Sequence, residues 1–158
     1  MVELRPMTED EFRVFFEYAV QDYAEGLVEA GNCDQAHALQ MSQQTYNQVL
    51  PEGWVTPDQS FCSIWDQAIG ASVGSIWYGV RHQGGRTTVV LYVLVIFEQY
   101  RRQGHGAQAL RLLEDRVRAL GLDKIRLYVF GHNRPARALY EKMGYAVTAS
   151  TMARKLAR

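Results

Sequence analysis

A loop near the middle of the chain has the residue types of an anion-binding site. Its seven residues are Arg101-Arg102-Gln103-Gly104-His105-Gly106-Ala107, and they follow an apolar run over residues 89–97. This order predicts a buried strand, a basic glycine loop and the start of a helix. The free amide groups and partial positive charge of a helix N-terminus attract anions, and glycine lets an anion approach the backbone closely. We therefore expect the amides of residues 103–107 to surround a pyrophosphate, with added charge from Arg101 and Arg102.

The same loop also satisfies a dinucleotide-binding fingerprint. Residues 104–109 match G-x-G-x-x-A, a motif that requires an acidic residue at the end of the next strand to hold a ribose. The next predicted strand runs into residues 128–132 without an acid, and Asp123 stands before that strand. The dinucleotide unit also normally begins a parallel sheet, whereas this loop follows predicted antiparallel strands. A dinucleotide site is therefore disfavoured.

A second motif begins at Asn133, 29 residues after Gly104. It reads Asn133-x-x-Ala136-x-x-Leu139-Tyr140-x-x-x-Gly144-Tyr145. Together with the first motif, Arg101-x-x-Gly104-x-Gly106, it resembles the paired signatures of the GCN5-related N-acetyltransferases, the GNAT family. In the order of its predicted elements, nearly the whole chain resembles this family.

The resemblance implies the acyl-CoA N-acyltransferase fold in a single α/β domain over residues 1–158. That fold has a mixed, mostly antiparallel sheet with helices on both faces. Two central parallel strands, here residues 87–96 and 124–130, splay apart and leave room for a thioester. The implied activity is transfer of acetyl from acetyl-CoA to a primary amine by direct displacement, with no metal ion.

The resemblance also implies which residues bind acetyl-CoA. Backbone groups of Leu94, Val95 and Ile96 are expected to pair with the pantetheine arm, as an added strand would. The pyrophosphate is expected at Arg102, Gln103, Gly104, His105, Gly106 and Ala107, with Arg101 beside it. Asn133 is expected on the pantetheine side, although an asparagine before a helix is also a common N-cap. His105 is expected to contribute its backbone more than its ring.

Tyr140 is the residue for which the resemblance implies a catalytic role, near the sulfur of the bound acetyl-CoA. A neutral amine that attacks a thioester expels a thiolate, and a phenol within hydrogen-bond reach can protonate that thiolate. Spacing alone, which places Tyr140 on a helical stripe with Leu139 and Met143, is typical of a core tyrosine. The motif favours the general acid.

The general base is not identified by the sequence. Many members of the family carry an acid on the central strand, whereas this chain has Tyr92-Val93-Leu94 there. The remaining candidates are Glu25, Glu29, Glu98 and His132. An amine that arrives neutral would need no strong base. The missing acid also supports an alternative function, a non-catalytic sensor or regulatory module that binds acyl-CoA.

Charge is unevenly distributed, although the formal net charge is zero. Residues 1–66 contain twelve acids and two bases, whereas residues 101–142 contain ten bases and four acids. Opposite surfaces of this kind favour opposite ligands. The acidic part therefore predicts a cationic acceptor, such as a small polyamine-like amine or a protein amino group, unless it is an ordinary solvated helix surface. The basic part suits an anionic cosubstrate, and nucleic acid is not an expected partner.

Apolar spacing, caps and turn residues predict ten elements. They are a strand over 2–6, a helix from 9 that ends between Gly26 and Gly31, a helix from 34 or 35 to 49, strands over 61–65, 69–80 and 87–96, a helix that ends at 120, a strand over 124–130, a helix between Asn133 and Gly144, and a strand over 145–155. A chain of 158 residues with 47% hydrophobic content is long enough for one compact core.

The sequence also limits where the protein works. Its longest apolar run is well short of the roughly 18 residues of a membrane helix, and its first residues lack the basic and apolar regions of an export signal. Cys33 and Cys62 stand far apart, without the spacing of a metal site. We therefore expect a cytoplasmic protein with no membrane attachment and no metal, and we consider a homodimer.

Overall fold

The computed structural model describes residues 1–157, which form a five-stranded sheet and four α-helices. These elements are β1 (Val2–Pro6), α1 (Glu9–Glu29), α2 (Gln35–Val49), β2 (Gln59–Asp66), β3 (Ala71–Gln83), β4 (Arg86–Ile96), α3 (His105–Ala119), β5 (Ile125–Leu127) and α4 (Arg134–Lys142). The strands lie in the order β1-β2-β3-β4-β5, and only β4 and β5 run parallel. The predicted mixed, mostly antiparallel sheet is therefore confirmed. No helix of this described part is long and apolar enough to cross a membrane.

Three of the four α-helices begin at a side-chain cap that the sequence predicts. Side-chain oxygens of Thr8, Asp34 and Asn133 accept backbone N–H groups at 3.2, 3.0 and 3.3 Å. Such a bond satisfies an N–H that the helix itself cannot pair, and it typically contributes about 1 kcal/mol. The cap at Asn133 uses only the carbonyl oxygen of its side chain and leaves the Nδ2 group as a donor.

Hydrophobic clusters cover both faces of the sheet. On one face, Ile76 and Leu91 share a cluster with Leu110 and Leu113 of α3. On the other face, Trp77 lies among aromatic residues of α1 and α2. Because neighbouring strand residues point to opposite faces, the fully buried pair of Ile76 and Trp77 shows that β3 is enclosed on both sides. Burial of each such side chain stabilises the fold by about 1.5–3 kcal/mol.

A β-bulge interrupts β4 at Tyr92. The β3 residues Trp77 and Tyr78 pair with Val93 and Leu91, so Tyr92 has no residue opposite it. Its ring instead stacks on Trp77, with ring centroids 4.6 Å apart. Bulges increase the local twist of a strand. The end of β4 is therefore turned relative to its beginning.

The parallel strands β4 and β5 stay together for only three residues. Val89 pairs with Ile125 and Leu91 with Leu127, whereas β4 continues to Ile96. Within residues 1–157, no strand pairs with the free side of residues 92–96. This is the predicted splay of the two parallel strands. It also means that the strand predicted over residues 124–130 is shorter than expected.

Phe130 packs on α1 and holds the chain after β5 away from β4. Its ring stacks on Tyr23, with centroids 5.7 Å apart, and an added Cβ at Gly26 would lie 2.4 Å from its Cε2 atom. Only glycine therefore admits the ring in this position. Helix α1 ends at Glu29, between Gly26 and Gly31 as predicted, but Gly26 lies inside the helix.

Two strand predictions need correction. Strand β3 begins at Ala71 instead of residue 69, because Asp66 Oδ1 accepts the N–H groups of Ala68 and Ile69 at 2.8 and 3.3 Å and holds them in the turn. The predicted last strand over residues 145–155 is wrong, since residues 146–157 are exposed and form no strand. A segment with strand-like sequence becomes a strand only where an edge is available to pair with it, and this segment does not reach β5, the edge strand of the sheet.

We expect Gly26→Ala to lower the midpoint of urea unfolding. Alanine inside a helix is normally about 1 kcal/mol more favourable than glycine. Here the added methyl group would collide with Phe130, and overpacking of this kind costs about 1–3 kcal/mol. Gln21→Ala, at an exposed position of the same helix, is the control and should leave the midpoint nearly unchanged. A higher midpoint for Gly26→Ala would show that the ring moves aside freely.

Candidate active site

The start of α3 presents open backbone N–H groups. Gly104 is its N-cap residue with a φ of 82°, and the first bond of the helix joins Gln108 N to Gly104 O at 3.1 Å. The four N–H groups of residues 104–107 therefore have no partner inside the helix. No side chain in the described part of the chain caps them. This helix start has the geometry of an anion site.

The free side of β4 leads directly to this helix start. Phe97 N donates to Val73 O at 2.9 Å, and a 3-10 turn over Glu98–Tyr100 follows. Arg101 then folds back, so that its Nε donates to Ile96 O at 3.0 Å. These bonds turn the chain sharply between strand and helix. The unpaired strand edge and the uncapped helix therefore adjoin.

Gly106 brings the two sequence motifs into contact. An added Cβ at Gly106 would lie 3.0 Å from Cδ2 of Leu139 and 3.9 Å from Cγ1 of Ile96. The end of β4, the start of α3 and one face of α4 therefore meet at this residue. A larger side chain at this position would push α4 away from the loop.

Tyr140 follows Leu139 on α4 and is half-buried against the α3 face of the core. Its ring meets that of Tyr145 edge-on, with centroids 5.7 Å apart. Burial raises the pKa of Tyr140 to about 12, and Tyr145 adds to the shift. The phenol therefore keeps its proton at neutral pH, which is the state that a proton donor needs.

Helix α1 carries a carboxyl group within electrostatic reach of Arg101. Tyr18, Asp22 and Glu25 follow one another at spacings of four and three, which places them on one side of the helix. Burial partly desolvates the Asp22 carboxyl and raises its pKa, although solvent still reaches this residue. Glu25 raises the pKa of Asp22 further, and Arg101 opposes the shift. Asp22 was not among the predicted site residues, although its spacing from Glu25 was a visible signal.

The same part of α1 interacts with residues near the ends of both parted strands. Asp22 is within electrostatic reach of Arg101, which is bonded to the end of β4. One residue further on, Tyr23 stacks on Phe130, which follows β5. Neighbouring residues of one helix are therefore linked to both strand ends.

The structure brings together two of the four residues predicted as candidate bases. Glu29 Oε2 lies 3.3 Å from His132 Nε2, and the His132 ring stacks on Phe130 with centroids 5.2 Å apart. Glu25 is exposed on α1, and Glu98 is exposed in the 3-10 turn. Three of the four thus lie on α1 or in contact with it, whereas Glu98 lies in the loop after β4.

The ring of His105 has structural partners that the sequence did not predict. It is only 4% exposed, and its Nδ1 atom lies 3.0 Å from Tyr100 O. Its Nε2 atom lies 2.7 Å from Oδ2 of Asp66, 39 residues earlier in the chain. A local pattern cannot link residues this far apart. The only available signal was that Asp66 ends one strand and His105 lies in the predicted loop after another strand.

Comparison with known proteins identifies the family. The sequence profile of the Acetyltransferase (GNAT) family matches residues 11–145, which is most of the chain. The chain belongs to the GNAT family. The predicted enzyme class, an N-acetyltransferase, is thereby confirmed.

Relatives of full length agree with this membership. The chain is 33% identical over 157 residues to the uncharacterized N-acetyltransferase YycN of Bacillus subtilis, covering 98% of this chain and 99% of that protein. The YycN crystal structure superposes with a TM-score of 0.93 over 100% of both chains. YdgE of the same organism is 32% identical over 153 residues, 97% of each chain. A mycothiol acetyltransferase of Beutenbergia cavernae is 34% identical over 98 residues, 62% of this chain and 32% of that protein.

Proposed function

We propose that the chain transfers the acetyl group of acetyl-CoA to a primary amine by direct displacement, within a single domain over residues 1–158. The observation that carries this proposal is the free side of β4 beyond Leu91, which ends at the uncapped start of α3. An open strand edge suits an extended arm with amide groups, and an open helix start suits a pyrophosphate. These two sites adjoin, as the pantetheine arm and pyrophosphate of CoA do.

The cosubstrate would be held mainly by backbone groups. Leu94, Val95 and Ile96 would pair with the pantetheine arm, while the N–H groups of residues 104–107 and the side chain of Arg102 would bind the pyrophosphate. Asn133 would donate from Nδ2, which its cap leaves available. Bound acetyl-CoA supplies an activated acetyl thioester. The proposal involves no metal ion, and residues 1–157 contain no group of three or more His, Cys, Asp or Glu that could hold one.

One side chain would donate a proton to the leaving group, and two carboxyl groups would bind the acceptor. Tyr140 would donate its proton to the leaving thiolate, and its raised pKa keeps that proton in place at neutral pH. Asp22 and Glu25 would bind a cationic acceptor at the opening between the strands. A carboxyl with a raised pKa, such as Asp22, is also better matched to receive a proton from the amine than an ordinary aspartate. This supports a polyamine-like amine or a protein amino group as the acceptor class.

Tyr140→Phe tests the proton donor. We expect kcat to fall by about 10²- to 10⁴-fold, the usual contribution of general acid catalysis. The Kd of acetyl-CoA should change little, because phenylalanine keeps the packing of the ring. Thiol release with an amine panel gives kcat, and calorimetry gives Kd. Tyr128→Phe, at a tyrosine that is 68% exposed, is the matched control. An unchanged kcat in Tyr140→Phe would exclude this role.

Asp22→Asn tests the acceptor class. Loss of a partly exposed ion pair worth about 1 kcal/mol should raise the KM for a cationic amine roughly fivefold. The KM for acetyl-CoA should stay the same, since Asp22 lies on the acceptor side. Glu17→Gln, an exposed acid on the same helix, controls for the general loss of negative charge. If the wild-type enzyme acetylates only neutral or anionic amines, the cationic acceptor is wrong.

The C-terminal part of the chain supports a homodimer. Helix α4 has no buried residue and β5 is an edge strand with only partly buried side chains, among the residues that the structure describes. Residues 146–157 have a strand-like sequence but are exposed, with Val147 74% and Met152 91% accessible. An unpaired edge and an unpaired segment of this kind complement each other. We therefore propose that residues 146–157 of each chain pair with β5 of a second copy.

Light scattering coupled to size exclusion tests this dimer. The full chain is expected to have the mass of two copies, and a truncation after Tyr145 is expected to have the mass of one. A double alanine substitution at the exposed residues Val14 and Val55, which lie far from the C-terminal segment in sequence, is the control and should stay dimeric. If the full chain is monomeric at every concentration tested, residues 146–157 do not pair with β5 of a second copy.

A further inference from the structure

Two ionisable side chains are buried together behind the loop that precedes α3. His105 is 4% exposed and Asp66 is 6% exposed. The His105 ring connects two acceptors, because Nε2 lies 2.7 Å from Asp66 Oδ2 and Nδ1 lies 3.0 Å from Tyr100 O. Asp66 ends β2 and Tyr100 ends the 3-10 turn of the loop. The ring therefore attaches the loop to the body of the sheet.

The hydrogen-bond partners orient the ring. A backbone carbonyl can only accept, so Nδ1 of His105 donates to Tyr100 O. Nε2 is engaged on the other side of the ring by Asp66 Oδ2 at 2.7 Å. Both ring nitrogens are therefore bonded inside the protein, and the ring cannot turn without breaking one of these bonds.

The surroundings of Asp66 keep it ionised. Its pKa lies below the ordinary value, chiefly because of the bond from His105 and despite the opposing effect of burial; the N–H groups of Ile69 and Ala68 and the amino group of Met1 add to the lowering. The Tyr100 ring stands edge-on to His105, with centroids 6.4 Å apart. The Asp66 carboxyl is thus held by the His105 ring on one oxygen and by the turn amides on the other.

This attachment lies at the start of α3. His105 is the first residue of that helix, so its two ring bonds join the helix start to the end of β2 and to the loop before it. A pyrophosphate at the open N–H groups would be attracted by the helix dipole, and the fixed ring keeps those groups in place.

We propose that His105 and Asp66 are positioning residues for the pyrophosphate of acetyl-CoA. By fixing Tyr100 O, the His105 ring holds the loop so that Arg102 and the N–H groups of residues 104–107 converge on one anion. The inference rests on the proposed function in one respect, that acetyl-CoA is the ligand of this loop. It predicts a defect confined to ligands that contain the pyrophosphate.

The test compares acetyl-CoA with S-acetylpantetheine, which carries the same thioester without the pyrophosphate. His105→Gln and Asp66→Asn should each raise the KM for acetyl-CoA about tenfold or more, as misplaced binding groups do. Their kcat, and their KM for S-acetylpantetheine, should remain near the wild-type values. His37→Gln is the matched control, because His37 forms a comparable but exposed pair with Asp34, Nδ1 to Oδ1 at 2.6 Å. A rise in KM for both substrates, or for neither, overturns the proposal.

If the variants do not fold, a measurement on the wild-type protein tests the same positioning role of His105. In ¹⁵N spectra of labelled histidine, one of the four side chains should show a ring N–H that is protected from exchange with water, and its signal should shift when CoA is added but not when pantetheine is added. Four rings without a protected N–H, or a protected ring that responds equally to both ligands, overturn the proposal. A wild-type enzyme that does not use acetyl-CoA would instead contradict the proposed function itself.

Discussion

The separation of β4 from β5 after Leu91 is the constraint on which the rest of the structure depends. Backbone N–H and C=O groups need partners, and a strand inside a sheet normally finds them on both sides. Here residues 92–96 have a strand on one side only. The bulge at Tyr92 turns this stretch, and Phe130 keeps the other strand away by packing against Gly26. Two aromatic contacts on α1 and β3 therefore maintain a second free edge on β4, which is otherwise an inner strand of the sheet.

Features that depend on neighbouring residues could be predicted from the sequence. The caps at Thr8, Asp34 and Asn133 involve residues three positions apart, and each was placed correctly. The glycine loop and the start of α3 could also be predicted, because they too depend on residues that are close together in the sequence. The pairing of His105 with Asp66 joins residues 39 positions apart and has no local signature. The last strand was wrongly predicted for a related reason, because the sequence of a segment records its preference for a strand but not the presence of an edge to pair with.

The uneven charge of the chain also acquires a structural meaning. The acidic N-terminal part includes α1, which carries Asp22, whereas the basic part includes the loop before α3. The two parts meet at Arg101, which is bonded to Ile96 O and opposes the raised pKa of Asp22. The Arg101 side chain is therefore engaged by the end of β4 and by the charge of α1.

The two glycines of the loop motif answer different physical demands. Gly104 has a φ of 82°, which side chains disfavour, whereas Gly106 allows close contact with Leu139 of α4. The residue between them begins α3 and turns inward, so its side chain meets the end of β2. The glycines thus shape the open helix start, and the intervening residue attaches that start to the sheet. Chains that share the motif can therefore differ in the rigidity of the loop while keeping the same open N–H groups.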